Sequence, residues 1–347
     1  MHFSKYVSPL ISMFLGAACN PVEIQEQTDV ATAALRVPSA SDCTPNRGDF
    51  RSERVSFAVT LLNGSSATLV GYIYNQGTYN ERTLLVAAHG TSYDHQYWTA
   101  PSVNGHIYSF SCYMAYQHYA VLALDLLGTG ESSGEGQFDG DQLSYDDSRH
   151  VLNQVVSQLR TGSNPLRSSF SKIVLVGHSL GAETVLGVQA ENHPADALVL
   201  TGWSHIPPST GVNLDFSPFL GTPYIHLPNP VRNAVAYSFS ADPAMVAYDN
   251  NNMADVLPRG LFVPAISKIY QASQTGATTV TGKVLSQLGE NDILFPAAGA
   301  GAESASFPQA QLTVQTLPTV GHAVNLHPEN LYGWAQMSEW LRSNNLK

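Results

Sequence analysis

The chain is poor in charge. Only 12% of its 347 residues are Asp, Glu, Lys or Arg, about half the roughly 25% usual in soluble domains, and lysine is scarce. The 16 basic residues are outnumbered by 27 acidic ones, for a net charge of −11. Such a surface is a poor match for nucleic acid or an anionic bilayer, because phosphate binding needs basic patches. Long apolar runs are also lacking. The stretch from Tyr6 to Leu15 is broken by Ser8, Pro9 and Ser12, and it falls short of the ~20 residues that span a bilayer. Cysteine is limited to three residues. What remains is 44% hydrophobic content in a length sufficient for one large domain or two smaller ones.

The N-terminus reads as a targeting segment. Lys5 supplies a positive charge, Tyr6–Leu15 an apolar region, and Gly16-Ala17-Ala18 small residues for cleavage. The expectation is a signal peptide over residues 1–18, hence a secreted or otherwise exported protein with no membrane segment after its removal. Cleavage there would leave Cys19 first, a loose lipoprotein pattern; Gly16 stands where a larger aliphatic residue is usual, so lipid anchoring is the lesser alternative. Export makes Cys43 and Cys112 candidates for one disulfide. Two independent thiols are an equal reading, since spacing cannot show proximity. Residues 19–50 are polar and aperiodic, an arm or linker. Asn63-Gly64-Ser65 is a glycosylation acceptor if the host glycosylates.

Beyond residue 50 the pattern turns regular. Val55–Leu62 and Ala67–Tyr74 are rich in β-branched and aromatic residues around a turn-prone NGSS, which predicts paired strands. Short apolar runs follow at Thr83–Ala88, Ala120–Leu124, Ile173–Val176, Ala197–Leu200 and Lys283–Leu288, with another strand-like run at Leu312–Leu317. Helical spacing appears between several of them, as in Asp146–Leu159, and again at Leu331–Leu341. Buried strands alternating with helices predict an α/β fold with a mostly parallel, doubly wound sheet. Ligands bind such sheets beyond the carboxyl ends of the strands. Ser204–Thr281 breaks the rhythm with Pro, Asn and aromatic residues, and we expect an inserted cap at 204–281 between core segments 51–203 and 282–347.

KIVLVGHSLGAETVLG, Lys172–Gly187, carries the chemistry. A strand that turns at once into a helix forces its turn residue into a strained conformation. Gly177 and Gly181 remove the side chains that would clash there. Ser179 is thereby lifted clear of the sheet, beside a helix N-terminus and the Leu180 N–H, where an oxyanion would be stabilised. Gly130-Glu131-Ser132-Ser133-Gly134 fits the same pattern, but Gly-rich sequence flanks it and no helix begins there, so Ser132 is set aside. A serine hydroxyl needs a base. His322, in LPTVGHAVNLHPENL, follows a strand-like run in a Gly-containing loop and is the first choice. His327 precedes Pro328 and looks like a helix entry. The base needs an orienting carboxylate. Asp292, in KVLSQLGENDILFP, is preferred over Glu290 and Asp215, while Asp125 precedes the nucleophile and is expected to tie down its own loop.

The order Ser179, Asp292, His322 is that of α/β hydrolases. LLVAAHGTS, VLALDLLGTGESSG, IVLVGHSLGAE, GENDILFP and GHAV together resemble the serine-nucleophile, capped members of the α/β-hydrolase superfamily over roughly Val55–Leu341. The cap matches no subfamily. The resemblance implies that the Thr91 N–H is the second oxyanion donor, that the substrate is a small ester-like molecule, and that neither a metal nor an organic cofactor is needed. It implies hydrolysis of a carboxylic ester or lactone through an acyl-enzyme. A serine in the nucleophile position disfavours dehalogenase and epoxide-hydrolase chemistry. The alternatives are a lyase or perhydrolase on the same scaffold, or a non-catalytic small-molecule binding protein. Tyr93, Tyr97 and Trp98 line a pocket or merely pack; His89 and His178 are further pocket candidates. His89, Asp94 and His95 suggest a metal set that is disfavoured, because His89 belongs to a recognisable turn and no third ligand is obvious. Oligomeric state is not readable.

Overall fold

The computed structural model describes residues 23–24 by backbone, and residues 36–79, 81–207 and 215–347 throughout. The signal-peptide reading, Cys19 and part of the arm lie outside the described residues. Eleven strands are present among them. β1 (Glu23–Ile24), β2 (Phe50–Thr60), β3 (Ser66–Gln76), β4 (Leu84–Ala88), β5 (Ala120–Leu124), β6 (Ile173–His178), β7 (Ala197–Thr201), β10 (Gly282–Gly289) and β11 (Ala310–Leu317) form one sheet; β8 (Tyr224–Ile225) and β9 (Leu257–Pro258) form a small antiparallel pair. The large sheet runs β1-β11-β10-β7-β6-β4-β5-β3-β2. β2 and β3 are antiparallel; every pairing from β5 across to β1 is parallel.

Strand chemistry explains the layers. β4, β5, β6 and β7 are buried along their whole length, and alternate residues serve opposite faces. Leu84, Val86 and Ala88 meet the same cluster as Val151, Val155 and Leu159 of α2 (Tyr145–Thr161) and Val185 of α3 (Leu180–Asn192). Leu85 and Ala87 face the other way, toward Tyr113 of α1 (Phe110–Tyr116) and Trp334 and Met337 of α8 (Asn330–Ser343). α2 opens with a Ser144/Asp147 capping box and ends at the left-handed Gly162, which satisfies its first amides and stops it. Its buried face includes the five apolar residues whose spacing predicts it: Val151, Leu152, Val155, Val156 and Leu159.

The hairpin β2–β3 is longer than the pattern predicts, because residues 50–54 are largely polar and exposed and hide the strand period. Phe50 therefore belongs to the sheet rather than to the arm. Cys43 and Cys112 are joined in a disulfide with Cα atoms 5.4 Å apart, tying the arm to α1 and resolving the open alternative. Between β7 and β10 lies a long segment at the position of the expected insertion. Its described residues include β8, β9 and four α-helices: α4 (Asn229–Ala236), α5 (Pro243–Asn252), α6 (Arg259–Ile266) and α7 (Ala272–Thr275).

Candidate active site

β6 ends in His178 and α3 begins at Leu180, so Ser179 is the entire turn. Its backbone sits at φ 53°, ψ −122°, a left-handed conformation that non-glycine residues rarely adopt and that marks strain kept for a purpose. The neighbouring glycines are steric necessities. A Cβ on Gly177 would lie 2.4 Å from the Cα of Ala182, and one on Gly181 would lie 2.3 Å from the carbonyl oxygens of Ala88 and His89. The helix thus lies directly against the strand that leads into it and against the end of β4.

Three side chains from three strand ends meet here. His322, beyond β11, accepts a hydrogen bond from the Ser179 hydroxyl at Nε2 (2.9 Å) and donates from Nδ1 to Asp292 Oδ2 (2.8 Å). Asp292, beyond β10, is held in turn: its Oδ1 accepts the Leu294 and Phe295 N–H groups at 2.8 and 3.0 Å. All three residues are buried, Ser179 and His322 with 7% and 6% of their surface exposed. The competing carboxylates are elsewhere. Glu290 is exposed and accepts the Thr319 N–H; Asp215 is exposed and accepts the Ser217 N–H.

The β4 end completes the site. A Cβ on Gly90 would come within 3.0 Å of the Ser179 Cβ and 2.9 Å of the His178 ring, so the loop backbone runs against the nucleophile turn. Among the described residues, neither the Thr91 nor the Leu180 N–H has a backbone or side-chain acceptor. Both amides are therefore left without an internal acceptor. His89 anchors this loop. Its Nδ1 donates to Gly90 O, and its Nε2 accepts the Leu126 N–H and meets the Thr129 hydroxyl. Burial pushes its pKa down. His178 is buried beneath the turn, bonded through Nδ1 to Thr201 and stacked on Tyr97 with ring centroids 4.4 Å apart. Burial, then the neighbouring His322, drives its pKa well below the usual histidine range.

Of the aromatic candidates, Trp98 is fully buried and packs on Tyr97 and Phe110. Tyr93 donates to Asp249 of α5. His327 is buried, accepting the N–H groups of Ser238 and Gly321 at Nε2. Ser132 lies in a loop, accepts the Val70 N–H and donates to Asp125 O. The candidate metal set divides. His89 is engaged as described, while Asp94, His95 and Asp125 bring ligand atoms within 4.8 Å of one another. Those atoms are committed internally: His95 Nδ1 and N–H both donate to Asp125 Oδ1, and both Asp94 oxygens accept from Gln96. That pattern fits a loop anchor rather than an ion cradle.

Sequence reasoning missed two features. Glu183, one turn beyond Ser179, is fully buried, and burial pushes its carboxyl up to about 8 even though Lys268 and Arg149 act to lower it. An acid alone within the apolar run LGAETVLG was a readable signal. The second is a buried pair of opposite charges, Arg232 and Asp249, in the inserted segment; no periodicity marks it.

Comparison with known proteins completes the description. A family model described as the alpha/beta hydrolase family matches residues 85–334. No curated protein sequence matches. Among solved structures, the chain is similar to a monoacylglycerol lipase of Paleococcus ferrophilus, with 19% identity and a TM-score of 0.58 over 85% of this chain and 99% of that one. It is similar to a thermophilic esterase of Thermogutta terrifontis, with 18% identity and a TM-score of 0.57 over 84% and 98%. A soluble variant of the monoglyceride lipase of Saccharomyces cerevisiae gives 15% identity and a TM-score of 0.60 over 84% and 96%. With sheet order, nucleophile turn and family match in agreement, the chain belongs to the alpha/beta hydrolase family.

Proposed function

We propose that the protein is a serine hydrolase that cleaves a carboxylic ester or lactone through an acyl-enzyme. The observation that carries this reading is the unbroken relay from the Ser179 hydroxyl through His322 to Asp292. In the proposed mechanism Ser179 Oγ attacks the carbonyl carbon while His322 Nε2 takes its proton. Asp292 holds the imidazole by Nδ1 and stabilises its charged form. The oxyanion accepts hydrogen bonds from the Thr91 and Leu180 amides, each worth about 3 kcal/mol by general precedent. His322 then protonates the leaving alcohol. A water, deprotonated by the same imidazole, attacks the acyl carbon; as the acyl–Oγ bond breaks, the imidazolium returns that proton to Ser179 Oγ, and the carboxylic acid leaves.

The inserted segment is proposed as a cap over this site. Leu180, the residue after the nucleophile, packs in one cluster with Ile225, Leu257, Leu261 and Phe262 of the insertion, so a substrate's apolar part would meet the insertion beside Ser179. Small esters, including the monoacylglycerols after which two of the similar structures are named, are the substrate class to try first. Export is part of the proposal and is supported by the Cys43–Cys112 disulfide, a bond favoured in oxidising compartments.

The experiment is stopped-flow release of nitrophenol from short-chain nitrophenyl esters and a lactone panel. A burst of nitrophenol equal to the enzyme concentration, absent in Ser179→Ala, is the expected result. Turnover retained by Ser179→Ala contradicts the mechanism. A label on Ser179 from an activated phosphonate, without turnover on any ester or lactone, would favour the lyase or binding-protein alternative.

A further inference from the structure

We propose that Arg232 and Asp249 are positioning residues for the oxyanion-binding loop, and that α4 and α5 act as a fixed brace across the site. This inference rests on the reading of Thr91 as an oxyanion donor.

Thr91 is followed by Ser92, whose backbone is left-handed at φ 61°. Such a conformation in a non-glycine residue persists only where the surroundings hold it. Two groups do so. The Ser92 hydroxyl accepts from Arg232 Nε at 3.2 Å, and its carbonyl accepts the Asp255 N–H at 3.0 Å. The next residue, Tyr93, donates to Asp249 Oδ2 at 3.1 Å and lies under the Arg232 guanidinium, 4.9 Å from ring centre to Cζ. Arg232 Nη2 closes the network on Asp249 Oδ1 at 2.7 Å, and Tyr237 donates to Oδ2 at 2.8 Å. The two charged side chains are 2% and 0% exposed. In so dry a setting the ion pair is stiff, because each charge has little solvent to turn to.

The same helix grips the other half of the site. At the end of α4, Ala236 O accepts the Ala323 N–H at 2.8 Å, one residue from His322. Gly321 lies so close that a Cβ there would stand 2.7 Å from the Ser238 amide nitrogen. Thr319 O accepts the hydroxyls of both Ser238 and Ser240. A single eight-residue helix therefore touches the loop of the oxyanion donor with one side chain and the loop of the base with its last turn. A segment stitched to both cannot swing away without disturbing both, so we assign this part of the insertion to positioning rather than gating.

The test compares Arg232→Met, Arg232→Lys, the double variant Arg232→Met/Asp249→Leu, and Ser92→Ala. Active sites are titrated with a phosphonate, and kcat is expressed per titrated site. The control is Arg259→Met, which breaks the exposed pair between Arg259 of the insertion and Asp141 of the core and is expected to leave kcat per site unchanged. Arg232→Met leaves Asp249 buried and unpaired and is expected to lower the melting temperature. The double variant, with no charge left unpaired, is expected to regain much of that stability. The decisive expectation is that kcat per site stays about ten- to a hundredfold low in both, with KM changed less than threefold, because a loop displaced by ~1 Å costs rate on that scale. Arg232→Lys keeps the charge but not the fork, and Ser92→Ala removes the acceptor; each is expected to fall several-fold. Wild-type kcat per site in the double variant would overturn the proposal and leave the pair a purely structural element. Ester turnover by Ser179→Ala would instead overturn the underlying mechanism, whatever the Arg232 variants do.

Discussion

Ser179, His322 and Asp292 each depend on a neighbour for their position. The serine is held up by a strained turn, the histidine by a carboxylate, and the carboxylate by two amides. In the proposed mechanism they act as a unit, so removing either Ser179 or His322 should cost about 10⁴-fold or more in kcat, and Asp292→Asn somewhat less; steady-state kinetics on a nitrophenyl ester, with folding checked by circular dichroism, measures this. Glu183 makes a prediction of a different kind. Its carboxyl is raised from an ordinary 4.5 to about 8. Between those values the folded chain keeps a proton that the unfolded chain has released, so this group makes stability fall as pH rises from about 4.5 and level off above about 8. Glu183→Gln should remove that slope. Melting curves at several pH values from 5 to 9 should show the variant's advantage growing with pH, to on the order of a few kcal/mol. A constant difference would count against it.

At the scale of elements, the nucleophile turn was the most legible feature, and for a steric reason. A strand can meet a helix in one residue only if its flanks carry no Cβ, and Gly177 and Gly181 announce that in the sequence. Gly181→Ala would drive a methyl group into the carbonyls of Ala88 and His89, costing about 1–3 kcal/mol and displacing the loop that carries Thr91; a lower melting temperature together with a reduced kcat per titrated site is expected. The short central strands were equally plain, since a strand covered on both faces has no polar residue to blur it. The start of β2 was not, because its exposed polar residues look like linker. Nor could spacing decide between thiols and a disulfide. The Cys43–Cys112 bond spans 69 residues, and in the chain-entropy picture a loop of that size stabilises by about 4 kcal/mol. Cys43→Ala/Cys112→Ala should lose stability of that order while kcat per titrated site stays within about twofold, because the bond ties the arm to α1 and not to the site.

For the whole molecule, the sheet does the assembling. Parallel strands bring β4, β6, β10 and β11 to one rim, so residues from 89 to 322 become neighbours although the chain separates them widely. This convergence could be read in advance because each site segment follows an apolar strand. The internal order of residues 204–281 could not: it comes from contacts such as Arg232–Asp249 and His205–Glu303, pairs without periodicity that only three dimensions reveal. The central claim is that the rim holds an activated serine. Its most direct test is treatment of the purified protein with a fluorophosphonate probe, followed by mass-spectrometric mapping of the label. The account predicts one label per chain on Ser179, abolished in Ser179→Ala and strongly slowed in His322→Ala. A folded protein that takes no label at Ser179, or that is labelled as fast without the imidazole, would contradict it.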